Sequence, residues 1–150
     1  MKLNHIYKTF YPDTPKEVKA LTDINLIFEK GEFTTLSGES GSGKTTLLNI
    51  IGGLDSASSG EIFFEGEEIT AYSEEKMAKL RLHNIGFIFK AYNLINVMTV
   101  RENIGFIMKL IKFDDKEIEA RVMELASILQ IEELLDKLPG EISGGQQQRV

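Results

Sequence analysis

The run GESGSGKTT, from Gly38 to Thr46, constrains this chain more than any other feature. It fits the pattern G-x-x-x-x-G-K-S/T, with Gly38, Gly43, Lys44 and Thr45 at the fixed positions. Gly41 and Gly43 have no Cβ, so the backbone can follow a tight path that turns successive N–H groups inward. Those groups, and the positive end of the following helix, suit phosphate oxygens. Lys44 reaches toward the β and γ phosphates, and the Thr45 hydroxyl is placed to ligate Mg²⁺. Glu32 to Ser37 reads as a short strand entering the loop. Thr45 to Ile51 reads as a helix leaving it, stopped by Gly52-Gly53. A plain glycine turn would have no use for the Lys-Thr pair.

Composition narrows the class. With 150 residues and 42% hydrophobic content the chain is one domain or part of one. A net charge of −6 and a pI near 5.0 give no basic surface for nucleic acid. The absence of cysteine excludes disulfides and thiolate metal sites. No apolar run approaches a membrane span and the N-terminus is no signal peptide, so a cytoplasmic protein is expected.

Lys2 to Phe10 is β-like, with Leu3, His5 and either Tyr7 or Ile6 as its inward set. Tyr11 to Lys16 holds two prolines and is a loop. Phe10 and Tyr11, just before it, either stack on a nucleobase or pack at a sheet edge. Ile24, Leu26 and Phe28 alternate with polar residues, as in an edge strand. Residues 61–65 and 68–69 flank Gly66 as a hairpin. Ser73 caps a helix, and Ile85 to Phe89 reads as a buried strand. Beyond residue 90 the period becomes helical. Val100, Ile104, Ile107, Met108 and Ile111 form one stripe. Ile118, Val122, Leu125, Ala126 and Leu129 form another, on a helix framed by Asp114 and Glu117.

Near the end of the chain, Ser143-Gly144-Gly145-Gln146 repeats the physics of the first loop, with a hydroxyl and glycine amides at a helix start. With both motifs in hand, the sequence resembles the ATP-binding subunits of ABC transporters, whose signature LSGGQ reads here from Ile142 to Gln146. IGGLD (51–55), SSGEI (58–62), IGFIF (85–89), NLI (93–95), TVRENI (99–104) and the ending SGGQQQRV carry the resemblance along the whole chain. The IGGLD and RENI patches look most like the bacterial branch serving lipoprotein release, macrolide export and antimicrobial-peptide resistance.

The resemblance implies an α/β phosphate-loop ATPase core with an antiparallel β edge and a helical subdomain. The β edge and core would span 1–90, the helical part 91–142, and the start of the signature helix 143–150. It implies ATP and Mg²⁺ as cofactors, with Gly38, Ser40, Gly41, Ser42, Gly43, Lys44, Thr45 and Thr46 around the phosphates and Thr45 on the metal. Phe10, with Tyr11 adjacent, would stack on adenine. Two subunits would pack head to tail, as a homodimer or with a second ATP-binding subunit. Ser143, Gly144, Gly145 and Gln146 would then face the partner's ATP. Transmembrane permease subunits would hold the protein on the inner face of the membrane.

Three departures stand out. Lys90 occupies the position where the family has a catalytic glutamine that meets metal and water; its ammonium touches the γ-phosphate or swings to solvent. Glu39 replaces a frequent proline. The chain stops at Val150, before the family's Asp-Glu strand and switch histidine, so it is expected to be C-terminally incomplete and not to turn over ATP alone. A degenerate remnant that at most binds nucleotide is the alternative. On the same expectation, the strand before the phosphate loop lacks its parallel neighbours, and Leu36, Leu47 and Ile50 lie partly open. Long heptads, which would suggest a DNA-repair ATPase, are absent. So is the Asn-Lys-x-Asp motif of a GTPase.

Overall fold

The computed structural model describes residues 1–150, which divide into two compact units, Met1–Phe87 and Ile88–Val150. The first begins with β1 (Lys2–Phe10) and β2 (Val18–Ile27), followed by α1 (Lys44–Ile51). The hairpin β3 (Ser59–Phe64) and β4 (Glu67–Glu68) and then α2 (Glu74–Asn84) complete it. The sheet order is β2-β1-β3-β4, all antiparallel, with β2 at the expected edge. Leu3, Ile6, Leu21, Leu47, Ile50, Ile62 and Ile69 form its core.

The inward set of β1 differs from simple alternation. Leu3 and Ile6, three residues apart, are both buried, while His5 is exposed. A bulge explains this: the register slips between Leu3 and Ile6, and His5 takes a left-handed φ of 48°. His5 is held there by its N–H, which donates to Asn25 Oδ1 at 2.8 Å, and by its ring, 2.7 Å from Asp23 Oδ1. The ring contact and the Asn25 amide hold the Asp23 carboxyl below its usual range.

Two expected strands are absent. Phe33 to Ser37 and Ile85 to Phe89 run without ladder structure, and Phe33 and Ile88 are 90% and 92% exposed. Strand residues need a neighbour for their N–H and C=O groups, and neither segment joins the sheet. Leu36 is open as expected, but Leu47 and Ile50 are buried instead. The core behind α1 is closed by side chains of β1, β2 and β3.

In the second unit, α3 (Val100–Leu110) and α4 (Asp115–Leu129) each start with a capping box, Thr99 with Glu102 and Asp114 with Glu117. The core is Val100, Val122, Ala126, Ile131, Leu134, Leu135 and Ile142. The stripes are narrower than their periodicity suggests, since Ile107 and Leu129 are exposed. Asn103 organises the approach to α3. Its amide group donates to the carbonyls of Ile95, Met98 and Thr99, and its oxygen accepts from Ile95 N–H at 2.8 Å. Two short 3₁₀ turns, Glu132–Leu134 and Pro139–Glu141, lead to α5 (Gly144–Gln147).

Candidate functional site

The phosphate loop is built as its sequence demands. Gly38, Gly41 and Gly43 all have positive φ. Gly43 is the N-cap of α1, with no side-chain cap and no acid in the first turn. The first bond of the helix runs from Leu47 N–H to the Gly43 carbonyl at 2.9 Å. The amides before it are therefore donors without a helical acceptor, aimed where an anion would sit. Space is limiting at Gly43 and also at Gly38, where a Cβ would fall 2.9 Å from Ser42 Oγ. A Cβ at Gly43 would lie 2.5 Å from the Ala20 carbonyl oxygen, whereas a Cβ at Gly41 would meet nothing within 4 Å.

Lys44 folds back over the loop. Its Nζ donates to the carbonyls of Gly38 and Glu39 at 2.8 and 2.7 Å, and lies 3.2 Å from Ser42 Oγ. The ammonium is thus held at the centre of the cradle by the loop itself. Glu39 takes part through its carbonyl, which any residue supplies. Thr45 is exposed on the first turn of α1.

Phe10 ends β1, paired with Val18, and Lys8 Nζ lies 5.0 Å from its ring centroid. Tyr11 follows at φ 51° and is 66% exposed. Lys8 is a residue that motif reading passes over. Its partner Asp55 lies 47 positions away, and no local signal connects them.

The second unit holds the other glycine turn. Ser143 Oγ accepts from Gln146 N–H at 3.3 Å, and Gln146 Oε1 accepts from Ser143 N–H at 2.8 Å. Gln147, unremarked in the sequence, ties the turn down: its amide donates to the carbonyls of Pro139 and Ile142. Arg149 donates to the carbonyls of Leu129 and Gln130, at the C-terminal end of α4. Lys90 is exposed, and no carboxylate pairs with it.

The two glycines of this turn differ in the space around them. A Cβ at Gly144 would fall 2.8 Å from Tyr92 Oη; at Gly145 it would meet nothing within 4 Å. We expect Gly144→Ala to destabilise the protein by about 1 kcal/mol, at the low end of overpacking because a phenol tip can give a little. Tyr92→Phe removes the crowding atom and should restore most of that loss in urea unfolding. No recovery would mean that the hydroxyl is not what demands glycine.

A glycine cradle opening a helix, with a lysine held at its centre, is the arrangement of a phosphate-loop protein. The chain belongs to the ABC transporter family, whose model matches residues 21–150. It is 41% identical over 150 residues to the bacitracin export ATP-binding protein BceA of Halalkalibacterium halodurans, covering all of this chain and 59% of that protein. It is 43% identical over 130 residues to the macrolide export ATP-binding/permease protein MacB of Campylobacter jejuni, covering 87% of this chain and 20% of that one. These relatives agree with the branch that the sequence resembles. Among solved structures, the ATP-binding cassette MJ0796, in a dimeric post-hydrolysis state bound to ADP and Pi, superposes with a TM-score of 0.90. The identity is 34%, over 99% of this chain and 65% of that one.

Proposed function

We propose that this protein is the ATP-binding subunit of an ABC transporter and binds Mg-ATP at the loop Gly38 to Thr46. The observation that carries the reading is the Lys44 ammonium held among the loop carbonyls, beside the uncapped start of α1. In this reading the amides from Gly41 to Thr46, with Ser40 and Ser42, surround the phosphates, and Phe10 carries the adenine. The exposed Thr45 hydroxyl is a hard oxygen donor of the kind Mg²⁺ takes, so Thr45 would help to hold the ion. Bound Mg²⁺ supplies charge neutralisation at the β and γ phosphates. A remnant that has lost its function is not favoured, because every fixed position of the loop is kept.

Ser143, Gly144, Gly145 and Gln146 face the ATP of a second subunit packed head to tail. At Gly145 a Cβ would meet nothing within 4 Å, which leaves that side of the turn open to a partner. The core and β edge at 1–90, the helical part at 91–142 and the signature start at 143–150 divide the work between nucleotide and partner. No helix is long and apolar enough to cross a membrane. In this reading permease subunits hold the protein at the inner face of the membrane. In the complete assembly, ATP hydrolysis drives transport.

Calorimetric titration with ATP tests the reading, and no binding at millimolar nucleotide would overturn it. The same titration with and without EDTA addresses Lys90. If its ammonium reaches the γ-phosphate, it replaces part of the metal's charge, so affinity depends weakly on Mg²⁺ and Lys90→Gln restores the dependence. Equal metal dependence in both versions places Lys90 in solvent.

A further inference from the structure

Lys8 is the most enclosed ammonium among the protein's ion pairs. Its side chain is 12% exposed, and its Nζ lies 2.6 Å from Asp55 Oδ1 and 2.7 Å from the Ser56 carbonyl. The same nitrogen stands 5.0 Å from the centroid of the Phe10 ring. Asp55 is itself anchored. Its N–H and that of Leu54 both donate to the Asn49 carbonyl of α1, at 3.2 and 2.7 Å. The following loop is stitched to β1 as well: Ser58 N–H donates to the Tyr7 carbonyl at 2.8 Å, and Thr9 N–H donates to Ser58 Oγ at 3.0 Å. A chain of polar contacts thus runs from the helix that opens at the phosphate loop, through Asp55 and Lys8, to the aromatic at the end of β1.

We propose that Lys8 and Asp55 form a positioning pair for Phe10, and that this pair sets how strongly the protein prefers a nucleoside triphosphate to a bare triphosphate. The proposal rests on the reading of Phe10 as the platform for the base. An aromatic ring has two faces, and a cation held against one fixes its tilt and draws electron density toward that side. The opposite face then presents a pre-set, electron-poor surface to an electron-rich purine. Asp55 and the Ser56 carbonyl hold the ammonium in place, so the ring need not be ordered when the base arrives. Tyr11 has no such support. It sits in the turn with its carbonyl accepting from Thr14 Oγ1, and its ring is open to water.

The experiment compares the affinities of ATP and inorganic tripolyphosphate for the protein, with calorimetry as the readout. Removing Lys8 alone would leave the Asp55 carboxylate without its cation, so the informative variant is Lys8→Met with Asp55→Asn, with thermal melting as a check on folding. The expected result is about three- to tenfold weaker ATP binding, the size of a partly desolvated cation–π contact, with tripolyphosphate affinity unchanged. Lys8→Arg keeps the cation over the ring and should keep most of the preference. An unaltered ATP affinity in the folded double variant overturns the proposal. So does an equal loss for both ligands, which is what general loosening of the unit would produce. If the parent binds ATP no better than tripolyphosphate, and Phe10→Ala changes nothing, the base platform itself is wrong and the pair has nothing to position.

Discussion

Replacing Lys44 with alanine is expected to weaken ATP binding about ten- to a hundredfold. The ammonium would make charge-assisted contacts with phosphate, each worth roughly 1.5–3 kcal/mol. The structure adds a second reason. Lys44 Nζ also bridges the carbonyls of Gly38 and Glu39, so alanine removes a clasp that holds the two ends of the loop together. The loop then has to be ordered by the ligand, at a further entropic cost. Calorimetry on parent and variant measures the sum. Equal affinity would show that the phosphates do not sit at this loop.

Gly43→Ala should be the most damaging single methyl in the loop. At φ 88° an L side chain costs about 1–2 kcal/mol. The added Cβ would also stand 2.5 Å from the Ala20 carbonyl oxygen, which belongs to a paired strand and cannot swing aside. Overpacking against backbone adds about 1–3 kcal/mol. Gly41→Ala is the control, because its φ of 84° carries the same conformational cost while the space around it is empty. Urea unfolding of the two variants should differ by the packing part alone. Equal losses would mean that α1 is not seated against β2 as described.

The candidate site was legible wherever a chemical role forces a local pattern. The phosphate loop declares itself because glycines at fixed spacing and a Lys-Thr pair have one shared use. The caps at Ser73, Asp114 and Ser143 follow from side chains that reach only three residues. Segments whose state depends on a distant neighbour were not legible. Phe33 to Ser37 and Ile85 to Phe89 have strand composition, yet an apolar run becomes a strand only when another backbone lies beside it. Leu47 and Ile50 were expected to lie partly open and are covered by β1, β2 and β3, a closure that no local pattern announces. Lys8 with Asp55, and Tyr92 with Gly144, are contacts made by the fold between residues that share no motif.

The slip at His5 reaches further than its own neighbourhood. One extra residue in β1 exchanges the two sides of every position after it. Without the slip, the side that carries Leu3 would next carry His5, Tyr7 and Thr9. With it, that side carries Ile6, then Lys8 over its aspartate, then Phe10. Phe10 therefore owes its direction to a residue five places earlier. Amino-acid exchanges at position 5 that tolerate a left-handed backbone leave this parity untouched. Loss of the codon reverses it, turning Phe10 and its lysine outward together while every motif in the sequence remains intact.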